Sequence, residues 1–238
     1  MKSAHHELGR ALNIVILTGA GISAESGLGT FRDEDGLWSQ YDLEEVATPE
    51  GFARNPALVH EFYNSRRVNC RNAQPNSAHF ALAELENRYG SDVLVVTQNV
   101  DDLHQRAGSR NVLQMHGELD RARCIYCSST WSAPDVLTSQ TRCPKCWSRG
   151  CRPDVVWFGE MPRFLLKIEA LVQKANVFAM IGSSGQVHPA AGLMRLARDS
   201  GAHTVEINLE KSAVAETAGE VILGRATDEV PKWVSRLL

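Results

Sequence analysis

Ile14-Val15-Ile16-Leu17-Thr18-Gly19-Ala20-Gly21-Ile22-Ser23-Ala24 is the stretch that decides the fold. Four consecutive apolar residues, three of them β-branched, read as a strand buried on both faces in a parallel sheet. The glycines behind it allow a sharp turn and a close approach of backbone to a pyrophosphate, whose charge then sits at a helix N-terminus. The spacing fits G-x-G-x-x-A, the dinucleotide fingerprint. A dehydrogenase would continue through a helix to a second strand ending in an acidic residue about 20 positions on. Residues 27–38 are instead polar, glycine-broken and without strand periodicity, and Asp42 and Glu44 end no strand. The stretch indicates a dinucleotide and argues against ordinary hydride transfer.

Further short apolar runs lie at 93–96, 177–181, 204–207 and 221–223, and helical spacing marks 78–87, 164–174 and 190–199. This alternation predicts an α/β fold, a Rossmann-like doubly wound parallel sheet with helices on both faces. Ligands of such sheets bind beyond the carboxyl ends of the strands. Gly19, Gln98, Asn99, Gly182, Ser183, Ser184 and Asn208 fall there. Residues 1–32, 77–119 and 153–238 are assigned to this domain. Residues 33–76 are read as a cofactor loop and a helical insertion of short helices, and 120–152 as a small inserted zinc-binding module.

With 238 residues, 43% apolar and 22% charged, the chain has the composition of a globular protein able to bury a good core. A net charge of -3 gives no electrostatic footprint for nucleic acid. No apolar run approaches the roughly 18 residues of a membrane span. Residues 1–13 contain no apolar signal core, so a cytoplasmic protein is expected. Six cysteines in such a chain suggest metal binding before disulfides. Cys124-x-x-Cys127 and Cys143-x-x-Cys146 are two knuckles 15 residues apart, the spacing of a four-thiolate zinc site. Four protein ligands leave no open position, so one structural zinc ion is expected; a redox CxxC pair is the rival reading. Cys151 reads as a packed apolar residue and Cys70 as a plain helix cysteine.

The run at 93–96 leads into Thr97-Gln98-Asn99-Val100-Asp101-Asp102-Leu103-His104, which puts many polar groups at the mouth of the sheet. Gln98, Asn99 and Asp101 can hydrogen-bond a carboxamide and ribose hydroxyls. His116, in Met115-His116-Gly117, has the setting of a general base in a loop. Taken alone, His104 or His116 reads more readily as a structural histidine than as a catalytic one; the joint pattern changes that weighting.

Together, GAGISAESGLGTFR from Gly19, TQNVDDLHQRAG from Thr97, His116-Gly117, the paired knuckles, RPDVVWFGE from Arg152, GSSGQVHPA from Gly182 and INLE from Ile207 resemble the sirtuins, NAD-dependent protein lysine deacylases. The resemblance covers nearly the whole chain. It implies that the carbonyl oxygen of an acyl-lysine protein or peptide attacks C1′ of the nicotinamide ribose, releasing nicotinamide. A base matched by His116 then activates a ribose hydroxyl, and free lysine and O-acyl-ADP-ribose result. Asn99, Asp101 and Gln98 match residues around nicotinamide and its ribose. Gly19, Ala20, Gly21 and Ala24 match the phosphate cradle, with Thr30, Phe31, Arg32 and Trp38 in the adjoining cofactor loop. Gly182, Ser183 and Ser184 match a phosphate contact, Ser183 standing where many members have threonine. Asn208, Leu209, Glu210 and Ala226 match the adenosine end. Val155, Val156, Phe158, Gly159 and Glu160 would line the peptide cleft, where substrate adds as a strand.

Tyr63 and Arg66, three apart on a helix, share a face and can point into one pocket. The pair resembles that of class III sirtuins, which remove succinyl, malonyl or glutaryl groups, because arginine grips a carboxylate bidentately. A solvent arginine beside a core tyrosine is the plainer reading. Two residues depart from the family pattern: Gly29 replaces a proline, and Glu34 lies where class III relatives carry a small residue. Removal of succinyl and malonyl groups, with acetyl groups through the same chemistry, is the expected activity. A sirtuin acting mainly as a deacetylase or as an ADP-ribosyltransferase and, from another class, a zinc-ribbon nucleic-acid-binding module are the alternatives.

Overall fold

In β1 (Ile14–Thr18), Ile14 and Ile16 face one side of a sheet and Val15 and Leu17 the other, and every residue of the strand is buried. That two-sided burial explains the unbroken apolar run. The computed structural model describes residues 12–29 and 41–238. After β1 come two single 3-10 turns, Ala20–Ile22 and Ala24–Ser26, then α1 (Leu43–Val46), α2 (Pro49–Arg54), α3 (Pro56–Asn72) and α4 (Ser77–Tyr89). There follow β2 (Val93–Thr97), α5 (Leu103–Ala107), β3 (Val112–Gln114), β4 (Gly117–Cys124), β5 (Thr130–Ser132) and β6 (Cys151–Val155). The chain ends with α6 (Leu165–Val172), β7 (Val177–Ile181), α7 (Gly192–Asp199), β8 (His203–Asn208), β9 (Glu220–Leu223) and α8 (Ala226–Ser235).

The main sheet has the order β3-β2-β1-β7-β8-β9, and every pairing in it is parallel. One face packs Ile14, Ile16, Val93 and Val95 against Leu82 and Leu85 of α4 and Val230 and Trp233 of α8. The other packs Val15, Leu17, Phe178 and Met180 against Ile168 and Val172 of α6 and Leu193 and Met194 of α7. This is the doubly wound arrangement expected from the alternation. An antiparallel sheet, β5-β4-β6, carries the cysteine knuckles.

Three local expectations need correction. The glycine turn does not open an α-helix; the two 3-10 turns end at Gly27, whose φ of 84° is a left-handed stop. The helical insertion is not made only of short helices. Asn55 caps Leu58 N, Pro56 sets the first turn, and α3 runs for 17 residues, burying Val59, Phe62 and Tyr63 against Leu119, Val155 and Trp157. The short strand β3 escaped the pattern because Val112-Leu113-Gln114 is only three residues long and none is fully buried.

Candidate active site

β1 and β7 are neighbours from which the chain winds in opposite directions, β1 toward β2 and β7 toward β8, so the crevice beyond their carboxyl ends is the topological switch point. The glycines there let two loops touch. A Cβ on Gly19 would lie 2.7 Å from the Gly182 carbonyl oxygen, and one on Gly182, whose φ is 61°, would lie 2.4 Å from Ile22 N. Gly19 N–H donates to Ile181 O at 2.9 Å and Gly21 N–H to Gly182 O at 2.8 Å. The close approach that these glycines permit is therefore between backbone and backbone, and their amides are already engaged. Asn208, at the end of β8, joins the same floor by donating from Nδ2 to Ser183 O at 2.8 Å.

Ser23 is the hub of the crevice, a role the sequence did not single out. Its hydroxyl donates to Asp101 Oδ2 at 3.1 Å and accepts from Asn99 Nδ2 at 3.1 Å, with His79 Nε2 at 3.5 Å. His79 Nδ1 in turn lies 3.3 Å from the Asn76 backbone N–H and 3.1 Å from Asn76 Oδ1, which ties the ring to the cap of α4. Asn99 also donates to Gly19 O at 3.1 Å, so its NH2 group is occupied while Oδ1 has no partner among the described residues. Asp101 Oδ1 accepts from Leu103 N–H at 3.1 Å. Burial pushes the Asp101 carboxyl above its usual range, opposed by the bonds from Leu103 and Ser23. Burial also lowers His79 to about 4 and His104 to about 3, so both rings are neutral. His104, in contact with Thr18 Oγ1 at 3.0 Å and stacked edgewise on His79, is a structural histidine beneath the site.

His116 stands at the junction of the two sheets. Its Nδ1 lies 3.0 Å from Gln98 O, and since a carbonyl only accepts, Nδ1 carries the proton. The lone pair is left on Nε2. Burial lowers the His116 pKa, partly offset by that carbonyl bond. Val156 N–H donates to His116 O at 2.8 Å, tying the start of the peptide-cleft motif to the histidine. Ser183 Oγ donates to Gln98 Oε1 at 2.8 Å, linking the ends of β2 and β7.

Tyr63 is buried, and its hydroxyl accepts from Trp157 Nε1 at 3.0 Å. No acceptor for the phenolic O–H occurs among the described residues. Arg66 is half-buried, with its guanidinium carbon 5.6 Å from the centre of the Tyr63 ring, and the two side chains do share a face. Trp157 was not among the expected site residues, although it stands inside the cleft motif RPDVVWFGE; its bond to Tyr63 is what brings it to the site. Glu160 was assigned to the cleft, but its carboxylate is held by Arg152 at 2.7 and 2.9 Å and by Trp157 N–H at 2.9 Å. That pairing keeps Glu160 below the ordinary glutamate pKa despite the opposing effect of its partial burial. Phe158, Gly159 and Leu209 are exposed, as is Glu210, whereas Val155 and Ala226 are buried. Thr30, Phe31, Arg32, Glu34 and Trp38 lie outside the described residues.

The knuckle sulfurs of Cys124, Cys127, Cys143 and Cys146 all lie within 4.8 Å of one another, with two pairs at 3.6 Å. Tetrahedral thiolates about 2.3 Å from zinc are separated by about 3.8 Å, so the four fit one ion with no position left open. Cys151 is buried with its thiol donating to Thr141 O, which suits a packing role.

Residues 19–189 match the model of the Sir2 family. The chain belongs to the Sir2 family. It is 55% identical over 231 residues to an NAD-dependent protein deacylase of Caulobacter vibrioides, covering 95% of this chain and 97% of that one. It is 50% identical over 232 residues to another so named in Pasteurella multocida, with 96% and 99% covered. Among solved structures, a Sir2 homologue–NAD complex superposes with a TM-score of 0.86 at 41% identity, covering 94% of this chain and 88% of that one. A Sir2 protein with a deacetylated p53 peptide and 3′-O-acetyl ADP-ribose gives 0.79 at 30% identity, with 94% and 92% covered. The Sir2 assignment accounts for why a glycine fingerprint occurs without the acidic strand end of a dehydrogenase.

Proposed function

We propose that this Sir2-family enzyme, an NAD-dependent protein deacylase with one structural zinc, prefers acidic acyl groups such as succinyl and malonyl on lysine. The observation that carries the preference is the Tyr63–Arg66 pair: the Arg66 guanidinium carbon lies 5.6 Å from the centre of the Tyr63 ring, and the Tyr63 hydroxyl accepts from the Trp157 indole. One donor and one cation next to each other suit a carboxylate and offer nothing to a methyl group. Acetyl groups remain substrates through the same chemistry.

Bound NAD supplies an electrophilic ribose carbon whose bond to nicotinamide is broken during acyl transfer. Asn99 Oδ1, without a partner among the described residues, is the acceptor for a carboxamide, held in place by the two bonds of its own NH2 group. Asp101 is oriented by Ser23 and Leu103 to serve the same end of the site. His116 is the general base: the Gln98 carbonyl fixes its tautomer, so Nε2 takes the proton of a ribose hydroxyl. Gly182, Ser183, Ser184 and Asn208 form the floor for the rest of the dinucleotide. The exposed Phe158 and Gly159 follow Val156, where an acyl-lysine peptide adds as a strand. Mass spectrometry of acetyl-, succinyl- and malonyl-lysine peptides, with and without NAD, tests the reading. NAD-dependent loss of succinyl groups is expected to exceed loss of acetyl groups; the reverse order refutes it.

A further inference from the structure

Tyr63 and Arg66 occupy one stripe of α3. The adjoining stripe, Asn64, Arg67 and Arg71, spaced three and four apart, reaches the zinc module. Asn64 pairs with the Leu137 backbone as a neighbouring strand would: Nδ2 donates to Leu137 O at 2.9 Å, and Oδ1 accepts from Leu137 N–H at 3.0 Å. The Leu137 side chain is packed with Cys124, Cys143 and Cys151 in the core of that module. Arg67 donates from Nη1 to Asn64 Oδ1 at 2.8 Å and from Nε to Leu119 O of β4 at 3.0 Å. Arg71 adds ion pairs to Asp120 at 2.7 Å and Asp135 at 2.6 Å.

Arg67 is the unusual member. It is only 1% exposed, yet both acceptors it meets among the described residues are uncharged. Burial lowers its pKa, with Arg71 adding to the effect and Asp120 and Asp135 opposing it. A buried cation held by uncharged partners costs stability relative to a well-packed apolar side chain. What a guanidinium supplies there is direction, because its planar fork fixes two bonds at once. Tyr63 is tethered separately by the Trp157 indole. The helix is thus held from two sides and cannot roll while both sets of bonds are kept.

We infer that Asn64 and Arg67 are positioning residues for acyl selection: they clamp α3 to the zinc module in the rotation that turns Tyr63 and Arg66 toward the acyl group. Neither touches the substrate. They act through the pair beside them in sequence, so acyl choice depends on a junction between the helical insertion and the metal module. The inference rests on the acyl preference proposed above.

The test measures steady-state kinetics of the zinc-loaded full chain on matched succinyl- and acetyl-lysine peptides. The Trp157 indole resonance, assigned by its loss in Trp157→Phe, is recorded in parallel. A grip on the acyl carboxylate acts in ground and transition states alike, so its loss shows in KM. Arg67→Met removes both bonds and keeps an unbranched apolar stem. It should raise KM for the succinyl peptide about tenfold, within the roughly hundredfold that a misplacement of about 1 Å can cost. Values of kcat on both peptides, and KM for the acetyl peptide, should stay within about threefold. The indole resonance should move, because Tyr63 shifts with the helix. Asn64→Ala, at a less buried position, should give the same split and carries the test if Arg67→Met does not fold. With a succinyl preference in the unaltered protein, a parallel rise in KM on both peptides, an unchanged succinyl KM or an unmoved resonance overturns the inference. No succinyl preference in the unaltered protein refutes the acyl reading instead. The resonance then decides on the clamp alone, which a shift supports and an unmoved line overturns.

Discussion

Tyr63→Phe removes one oxygen, and the structure specifies two separate consequences. The first concerns catalysis. A hydrogen bond from the phenol to an ionised acyl carboxylate is worth about 1.5–3 kcal/mol, and at about 1.4 kcal/mol per factor of ten, kcat/KM for a succinyl-lysine peptide should fall roughly 10- to 150-fold. An acetyl group offers no carboxylate, so kcat/KM for the acetyl peptide should stay within about threefold. The second concerns stability. Trp157 is 3% exposed, and its indole N–H would lose its acceptor in the variant. An orphaned buried donor costs about 1–3 kcal/mol, so the melting temperature should drop by about 2–12 °C for a chain of this size. Steady-state assays on matched succinyl and acetyl peptides, below the melting transition, separate the two effects. Trp157→Phe provides the counterpart: the phenol keeps its proton but loses its orienting donor, so selectivity should decline less than in Tyr63→Phe. Equal losses on both peptides in Tyr63→Phe would show that the hydroxyl does not read the acyl carboxylate.

Arg66→Met removes the cation from the same pair and should depress desuccinylation more than deacetylation; parallel losses would count against its role. His116→Ala should retain NAD binding by calorimetry while deacylation falls about 10²- to 10⁴-fold, the range for a lost general base, and retained turnover would mean the base lies elsewhere. Burial lowers the pKa of His60 and His79 from 6.5 to about 4 and of His104 to about 3, with Arg67 adding to the effect at His60 and His79 at His104. These rings stay neutral in the folded chain while the unfolded chain takes up protons below about pH 6.5. Stability should therefore decline from there toward pH 4, by at most about 1.4 kcal/mol per pH unit for each histidine. Urea midpoints that stay constant between pH 7 and pH 5 would contradict this. Metal analysis should find one zinc per chain, and its removal by a chelator should abolish deacylation, because β4 and β6 carry the Gly117 and Val155 ends on which His116 is registered; full activity after verified zinc loss would argue otherwise.

Much of this was legible in the chain itself. The uninterrupted apolar runs at 14–17 and 177–181 specified buried parallel strands, because only a strand covered on both faces has no polar side to show. The doubled CxxC spacing specified a closed metal site, since ligand number and reach are local properties of each knuckle. Tertiary structure decided the rest, because it concerns groups that meet across long sequence separations. Ser23, Asn99, Asp101 and His79 converge only when the end of β1, the end of β2 and the start of α4 are brought together. The engaged amides of Gly19 and Gly21 follow from the nearness of β7, which no spacing rule contains. Nor could spacing show that Glu160 turns back to Arg152, or that the Trp157 indole fixes the Tyr63 hydroxyl from 94 residues away. Periodicity and ligand spacing are encoded by neighbours along the chain, whereas the direction in which a polar side chain spends its hydrogen bonds is fixed by whatever distant partner the fold sets beside it.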